Sequence, residues 1–338
     1  MTLKLGIIGT NWITAQFVDA AHQTGEYRLV TVYSRTHEKG EAFVSELDAA
    51  LTEAGVNVVT SLADLWADID VVYIASPNAL HFEQARDAIA HGVHVIVEKP
   101  SVSNVAEFAA LQELLAAHPD IKFFEAARHI HQENFKILQA NVEELPTVQG
   151  ATFVYQKYSS RFDDYLAGKE PNVLTREFSA GALYDLGVYP VYAALALFGK
   201  PLAVQYLPTL LTNGADGRGT ANLIYDGFGV TLIFGKSANS YLRSEVYGYK
   251  TTLSVDNIAE LGDVWLQDGS GAVEEIGAAV PANPMVAEAQ VFADILADPV
   301  GKHEDYLALL RLARAVNETL FDLRQSAGIV FPADEETV

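Results

Sequence analysis

Strand and helix patterns alternate regularly over the first 126 residues. Apolar strand patterns cover residues 3–9, 27–34, 56–60, 70–75, 94–98 and 121–126, and helical patterns cover 13–22, 38–50, 79–91 and 104–117. A short helix is predicted to start at a capping box, Ser61-Leu62-Ala63-Asp64. Strands separated by helices form right-handed βαβ units, which build a parallel sheet covered by helices on both faces. The sequence therefore predicts an α/β domain with a doubly wound parallel sheet.

The pattern changes after about residue 126. A helix at 132–141 and a strand at 148–157 are followed, from 203 to 276, by short strands broken by Asn-Gly and Asp-Gly turns at 213–214, 226–227 and 268–269. Such turns are typical of antiparallel hairpins. Helical patterns at 284–296 and 305–325 follow. We predict a dinucleotide-binding domain at 1–125 and, at 126–338, an α/β substrate and oligomerisation domain with a large open, mostly antiparallel sheet.

Composition excludes several classes of function. The 338 residues carry 44 acidic and 22 basic side chains, and the net charge of −22 argues against a nucleic-acid partner. The absence of cysteine excludes disulfides and thiolate metal sites. No apolar run is long enough to predict a membrane span, since 188–198 is short and contains Pro190. The start of the chain has no signal-peptide pattern, so we expect a cytoplasmic protein.

The first strand-to-helix turn is the place for a dinucleotide fingerprint. It reads Gly9-Thr10-Asn11-Trp12-Ile13, and only Gly9 occupies a glycine position of the fingerprint. Asn11 stands at the second position, where its tolerance of positive φ keeps the turn possible. The helix N-terminus can still face a pyrophosphate. The alternative is a plain turn that binds no ligand.

The second strand ends at Ser34-Arg35-Thr36, without the carboxylate that usually binds the ribose hydroxyls of NAD. All three side chains can donate hydrogen bonds to a 2′-phosphate, and Arg35 can form paired bonds to it. The residues favour NADP, with NAD possible. The alternative is an ordinary solvated arginine at the end of a strand.

Two further loops follow strand ends, where open α/β sheets bind their ligands. One carries Ser76, Pro77, Asn78 and His81, and the other is Glu98-Lys99-Pro100. A lysine at the end of an apolar strand is costly to keep there without a function. The alternative is a surface lysine paired with Glu98.

A third motif runs from Ser179 to Pro190 and places Asp185 and Tyr189 four residues apart among small and apolar residues. In a helix these two side chains share a face. A phenol, with a pKa near ~10, needs a neighbouring cation to carry a proton near neutral pH. Lys99 could be that cation. The alternative is a structural carboxylate and a core tyrosine.

These motifs together resemble the glucose–fructose oxidoreductase, inositol dehydrogenase and rhizopine-catabolism (Gfo/Idh/MocA) family. The resemblance rests on three runs: Gly9 to Ile13, His94 to Pro100, and Gly181 to Tyr189. It implies a Rossmann domain, a second α/β domain with a large open sheet, and oxidation or reduction of sugars, inositols and related diols with NAD or NADP.

The resemblance also implies roles for single residues. Lys99 would hold the substrate oxygen, Asp185 would be the carboxylate before the proton carrier, and Tyr189 would carry the proton. Many family members have histidine at that position. Tyrosine is similar to glucose–fructose oxidoreductase and to the dihydrodiol and xylose dehydrogenases, so inositol is a less expected substrate.

Other candidates depend on the residues alone. Substrate contacts are expected between 155 and 177, from Tyr158, Arg161, Arg176 and Glu177, although a solvated loop explains them equally well. The histidine pairs 129/131 and 91/94 are better explained as structural or surface residues than as ligands, so we expect no metal site. A hairpin sheet has two faces to cover, and the helices can cover one. A homodimer or a dimer of dimers is therefore expected.

The sequence thus predicts an NADP-dependent oxidoreductase that acts on a sugar, cyclic polyol or vicinal diol. The alternative is a non-catalytic nucleotide- or sugar-sensing regulator on the same fold. The presence of both Lys99 and Tyr189 favours the enzyme, because a sensor needs neither. A methyltransferase would leave Lys99-Pro100 unexplained.

Overall fold

A computed structural model describes residues 2–53 and 55–335. Its first sheet has six parallel strands in the order β3-β2-β1-β4-β5-β6. This is the order of a doubly wound sheet, the architecture that the sequence predicts. The strands are β1 (Leu3–Ile8), β2 (Tyr27–Tyr33), β3 (Asn57–Val59), β4 (Val71–Ile74), β5 (His94–Glu98) and β6 (Phe123–Ala126).

Helices cover both faces of this sheet. They are α1 (Trp12–Thr24), α2 (His37–Glu46), α3 (Ala49–Thr52), α4 (Leu62–Trp66), α5 (His81–Ala90) and α6 (Val105–Ala117). Phe17 and Phe124 belong to the apolar core on one face, and Phe82 and Phe108 belong to the core on the other. Burial on both faces explains why the strands are apolar throughout rather than alternating.

The second sheet has eight strands in the order β14-β13-β12-β11-β7-β10-β9-β8. Within this second sheet, β7–β10 is the only parallel pair among the described strands. The three predicted turns connect β8 to β9, β9 to β10 and β13 to β14 as hairpins. The strands are β7 (Gly150–Gln156), β8 (Ala203–Leu210), β9 (Asp216–Ile224), β10 (Gly229–Gly235), β11 (Ser244–Tyr247), β12 (Thr252–Val255), β13 (Val264–Gln267) and β14 (Val273–Glu275).

The remaining helices follow β6 along the chain. They are α7 (Glu133–Glu143), α8 (Ser160–Leu166), α9 (Val188–Phe198), α10 (Val286–Ala297) and α11 (His303–Ser326). Helix α10 returns to the first sheet, where the Phe292 ring stacks on Phe124 with 4.7 Å between ring centroids. Helices α9 and α11 add Val191 and Leu320 to the core of the second sheet. The first core therefore includes a distant part of the chain, and a boundary near residue 125 stays a prediction.

The motif with Asp185 and Tyr189 is helical, but its first part is a wide π-helical turn, Leu183–Gly187, that continues directly into α9. Gly187 lies against β10, and a Cβ at this position would come within 3.0 Å of the Phe234 ring. A larger side chain would push the turn away from the sheet, so Gly187 permits the close approach that sets where Asp185 and Tyr189 lie.

Three local predictions differ from the structure. The helix predicted at 38–50 divides into α2 and α3, because Leu47 is extended and the Asp48 carboxylate caps α3 by accepting from the Ala50 N–H at 2.9 Å. Ser61 precedes α4, but its hydroxyl accepts no hydrogen bond from that helix, so the capping box does not form.

Among the described residues, Arg176–Phe198 is a 23-residue segment with the length and hydropathy of a membrane span. It is longer than the run considered from sequence, and 72% of its apolar window is buried within the protein, as in a core helix.

Candidate active site

The structure brings Lys99 and Tyr189 together. The Lys99 ammonium nitrogen lies 4.7 Å from the centroid of the Tyr189 ring, and only 11% of the lysine side chain is exposed. It donates to the backbone oxygen of Asp185 at 3.2 Å and lies 3.7 Å from the Asp185 carboxylate. Lys99 precedes Pro100 through a cis peptide bond. The side chains at the end of β5 and at the start of α9 therefore meet at one place.

Lys99 is not a surface partner of Glu98. The Glu98 carboxylate instead accepts a hydrogen bond from the Tyr73 hydroxyl at 2.6 Å. Burial opposes the charge on Lys99, but Tyr189, Asp185 and Glu98 together outweigh it and raise the pKa of Lys99 above its ordinary value. These neighbours therefore favour the charged, ammonium form of Lys99.

Asp185 lies between two lysines. Its carboxylate forms a direct ion pair with Lys236, a residue just after β10 whose side chain is almost fully buried, and it faces Lys99 on the other side. Burial raises the pKa of Asp185, but the charges of Lys236 and Lys99 lower it more, so the net shift is downward. Asp185 is thus an ionised carboxylate that helps to fix the Lys99 side chain.

Tyr189 is packed on several sides and is 9% exposed. The Tyr155 ring meets it edge-on, with 5.2 Å between centroids and 74° between planes. His129 lies behind it, and its Nε2 donates to the Tyr189 backbone oxygen at 3.0 Å. Burial lowers the pKa of His129 to about 3, so this histidine is neutral. These neighbours hold the phenol in one orientation relative to Lys99.

Sequence reasoning missed Arg128, Glu260 and Lys236. The Arg128 guanidinium carbon lies 6.0 Å from the Tyr189 ring centroid, and its Nη2 donates to both carboxylate oxygens of Glu260 at 2.9 Å. Arg128 stands beside the pair His129 and His131, which drew attention only as possible ligands. No local motif marks the three residues, since each is brought in by tertiary packing.

The first turn has a different basis from the one expected. Asn11 has φ −129°, so it uses no positive φ, and its side-chain oxygen caps α1 by accepting from the N–H groups of Ile13 and Thr14. Its amide nitrogen donates to the Ala75 oxygen at 3.0 Å. Gly9 does need its freedom, with φ +110° and a Cβ position only 2.6 Å from the Ala75 oxygen.

The residues of the turn fit a dinucleotide. The N–H groups of Asn11 and Trp12 precede the two capped ones, at the helix end where a pyrophosphate is favoured. Thr10 is half-buried beside them, and the Trp12 side chain is 75% exposed. The asparagine cap therefore keeps the helix end intact without the second glycine of the fingerprint.

The end of β2 also fits a phosphate. Ser34 is buried, with its N–H bonded to the Val59 oxygen at 3.0 Å, and Thr36 caps α2. Arg35 is exposed, and its guanidinium has no partner among residues 2–53 and 55–335. A cation held at a strand end without a partner is available to an anionic ligand.

The buried His81 side chain holds the loop that carries Ser76 in place. Both ring nitrogens of His81 lie against carbonyl oxygens, 2.9 Å from Pro100 O and 2.8 Å from Ser76 O, so this buried histidine ties the two strand-end loops together. Asn78, which follows Pro77, donates to the Ser179 oxygen at 3.1 Å. The loop is therefore linked both to the lysine loop and to the segment that carries Asp185 and Tyr189.

The other candidates make local contacts. The Tyr158 hydroxyl donates to the Asp163 carboxylate at 2.6 Å, and Arg161 lies 3.7 Å from the Asp164 carboxylate. Arg176 donates to the backbone oxygens of Asn213 and Val330, and Glu177 is exposed. Whether they contact a substrate stays a prediction. The described residues contain no group of three or more metal-ligating side chains.

Comparison with known proteins adds independent findings. A family profile described as "Oxidoreductase family, NAD-binding Rossmann fold" matches residues 3–125, and one described as "GFO/IDH/MocA C-terminal domain" matches 154–254. An uncharacterized oxidoreductase of Escherichia coli, YgjR, is 35% identical over 98% of both chains. The scyllo-inositol 2-dehydrogenase (NADP(+)) IolU of Bacillus subtilis is 35% identical over 98% of this chain and 99% of its own.

A solved structure has the same fold. KijD10, a 3-ketoreductase from Actinomadura kijaniata in complex with NADP, superposes with a TM-score of 0.77 over 96% of this chain and 98% of its own, at 18% identity. The similarity in three dimensions covers both sheets, so the architecture predicted from sequence is confirmed.

Proposed function

Since the chain belongs to the Gfo/Idh/MocA family of oxidoreductases, we propose that it oxidises or reduces a hydroxyl-bearing carbon of a cyclic polyol, sugar or vicinal diol with NADP. Lys99 is the residue that holds the reacting oxygen and Tyr189 the residue that carries its proton. The observation behind this assignment is the buried Lys99 ammonium, 4.7 Å from the Tyr189 ring centroid. The named activities of relatives favour an enzyme over a regulator.

The cofactor residues follow from the strand ends. Gly9 to Ile13 would face the pyrophosphate, Ser34, Arg35 and Thr36 the 2′-phosphate, and the Ser76 and Glu98 loops the nicotinamide end. NADP, when bound, accepts or supplies the hydride. The relatives IolU and a D-xylose 1-dehydrogenase (NADP(+)) of Haloferax volcanii are named for this cofactor, which supports NADP here.

The protein residues perform the proton chemistry. Lys99 donates a hydrogen bond to the substrate oxygen and stabilises the negative charge that develops on it. Tyr189 accepts the hydroxyl proton as a phenolate during oxidation and returns it as a phenol during reduction. Asp185 stays ionised beside both groups and keeps the ammonium in place. The buried surroundings strengthen these interactions by excluding water.

The substrate class is set by what the site can hold. Lys99 would hold one oxygen of a polyol, and the further hydroxyls would be available to polar residues around the site. Inositols are candidates again, although Tyr189 made them less expected, because a relative that is 35% identical along the whole chain is named for scyllo-inositol. We propose a small-molecule substrate and keep the expectation of a cytoplasmic homo-oligomer.

The test combines a substrate screen with two variants. Sugars, inositols and diols are offered with NADP and NAD, and absorbance at the nicotinamide band reports turnover. For the best substrate, Tyr189→Phe should lower kcat by ~10²–10⁴-fold while NADP affinity is kept, because general acid–base catalysis is typically worth that much. Lys99→Met should lower kcat at least as far.

The two losses should not add in the double variant, because each residue acts through the other. Tyr155→Phe is the matched control for removal of a hydroxyl from a neighbouring ring, and it should reduce kcat far less. Full turnover by Tyr189→Phe would show that another group carries the proton.

A further inference from the structure

We propose that Arg128 is a positioning residue for Tyr189 and that Glu260 holds Arg128 in that place; the proposal rests on the function proposed for Tyr189. Arg128 lies in the short helical turn Arg128–His131 that follows β6. Its guanidinium carbon is 6.0 Å from the Tyr189 ring centroid, and the Lys99 nitrogen is 4.7 Å from the same centroid. One phenol therefore faces two buried cations.

Glu260 fixes the guanidinium. It comes from the loop between β12 and β13, 132 residues further along the chain, and both of its carboxylate oxygens accept from Arg128 Nη2 at 2.9 Å. Tyr155, which packs edge-on against Tyr189, donates to the same carboxylate at 3.5 Å. Glu260 thus connects to the phenol through both the arginine and a neighbouring ring.

Fold stability does not explain an arginine at this position. The Arg128 side chain is 10% exposed, and its Nε is buried without a hydrogen-bond partner in the described part of the chain. A buried donor left unpaired destabilises a fold, and an apolar side chain of similar length would fill the space without that penalty. In the described part of the chain the guanidinium also lies over the Tyr189 ring, so orientation of the phenol gives the arginine a role there.

A cation at this place is a second charged group, besides Lys99, that restrains the phenol ring. Attraction between a guanidinium and an aromatic ring favours one ring position, which keeps the phenol hydroxyl in place for proton transfer. Arg128 therefore acts on the reaction through Tyr189, without contact with the substrate carbon. Its effect should be seen in kcat rather than in KM.

The test uses Arg128→Met, Arg128→Lys and Glu260→Gln, each alone and combined with Tyr189→Phe, with the best substrate of the screen and NADP. Arg128→Met should lower kcat roughly 10- to 100-fold, with KM, NADPH affinity and melting temperature little changed. Arg128→Lys should recover most of the loss because it keeps the charge. Glu260→Gln should give a smaller loss, and it keeps the fold because Glu260 is partly exposed.

The Tyr189→Phe background decides the proposal. Arg128→Met should then cost less than about twofold, since the group it positions is gone. Arg314→Met, at an exposed arginine of α11 paired with Glu318 at 2.7 Å, is the matched control and should leave kcat unchanged.

An undiminished loss in the Tyr189→Phe background, or a melting temperature that falls in step with kcat, would overturn the positioning role alone. Full turnover by Tyr189→Phe would instead overturn the proposed function, so the two failures are distinguishable.

Discussion

His129 should make the protein lose stability as the pH falls below neutral. Its ring is fully buried among Phe135, Tyr189 and Tyr192, and its Nε2 donates to the Tyr189 backbone oxygen. Burial lowers the pKa of His129 to about 3, against an ordinary value of 6.5, and the hydrogen bond only partly opposes this shift. Between these two pKa values, His129 therefore stays unprotonated in the folded protein, whereas it is protonated in the unfolded chain.

The sign follows from proton counts. Between the two pKa values the unfolded state binds more protons than the folded state, so the free energy of unfolding rises with pH across this window and falls with acid. For a shift from 6.5 to about 3, the loss between about pH 7 and about pH 5 is roughly 2 kcal/mol. His131, whose pKa burial lowers to about 4, adds a loss of the same sign.

The perturbation is His129→Gln, because a glutamine amide can still donate to the Tyr189 oxygen but does not titrate. Urea unfolding, followed by far-ultraviolet circular dichroism at several pH values, gives the free energy of unfolding for both proteins. A pH-independent loss of stability from the substitution shifts the whole plot of unfolding free energy against pH. Loss of the His129 titration instead makes this plot flatter, by roughly 2 kcal/mol between about pH 7 and about pH 5.

The titration of buried Glu125 also affects the pH dependence of stability, but it should do so equally in wild type and His129→Gln. Burial raises its pKa to about 7, so it contributes stability that is lost as the pH rises, with the opposite sign. Its partners are Ser101, Asn317 and Tyr192. Tyr192 also contacts His129, but the substitution replaces none of the three, so the contribution of Glu125 should be common to the two proteins. Equal pH slopes for wild type and His129→Gln would refute the reasoning.

Two further predictions concern the cofactor and the assembly. Arg35→Ala should weaken NADPH binding roughly 10- to 100-fold and barely change NADH binding, because a charge-assisted bond to the 2′-phosphate is lost; fluorescence titration measures both, and tighter NADH binding by the wild type would contradict this. Multi-angle light scattering at micromolar concentration should give a dimer or a dimer of dimers, since Leu207, Leu210 and Ile224 are exposed on the second sheet; a monomer mass would count against it.

Much of the fold could be predicted because local rules decide it. Alternating strand and helix patterns specify a parallel sheet, and the Asn-Gly and Asp-Gly turns each close a hairpin where the sequence places one. The loops after β4 and β5 could also be located, because parallel strands end at one edge. What local rules cannot give is the return of α10 to the first sheet, which depends on packing between Phe292 and Phe124.

The first turn forms without the second glycine of the fingerprint, as the sequence predicts, but the physical reason differs from the one expected. The sequence suggests that Asn11 replaces glycine by accepting a positive φ, whereas its backbone is extended and its side chain caps the helix. Asparagine is favoured both in left-handed turns and at helix N-caps, so the residue type alone cannot separate the two. The contact between its amide and the Ala75 oxygen separates them, and this contact crosses 64 residues.

The electrostatics of the site depend on Lys236, which no sequence pattern connects to Asp185. Asp185 makes its direct ion pair with Lys236, while the Lys99 nitrogen stays 3.7 Å from that carboxylate. An ammonium tightly paired to a carboxylate has little attraction left for a substrate oxygen, whereas a loosely paired one can strengthen its bond as negative charge develops. The ion pair with Lys236 lowers the pKa of Asp185, so the carboxylate stays ionised without a close ion pair to Lys99. Two lysines therefore share one aspartate, and only the folded chain brings the second one, 137 residues after the first, to that carboxylate.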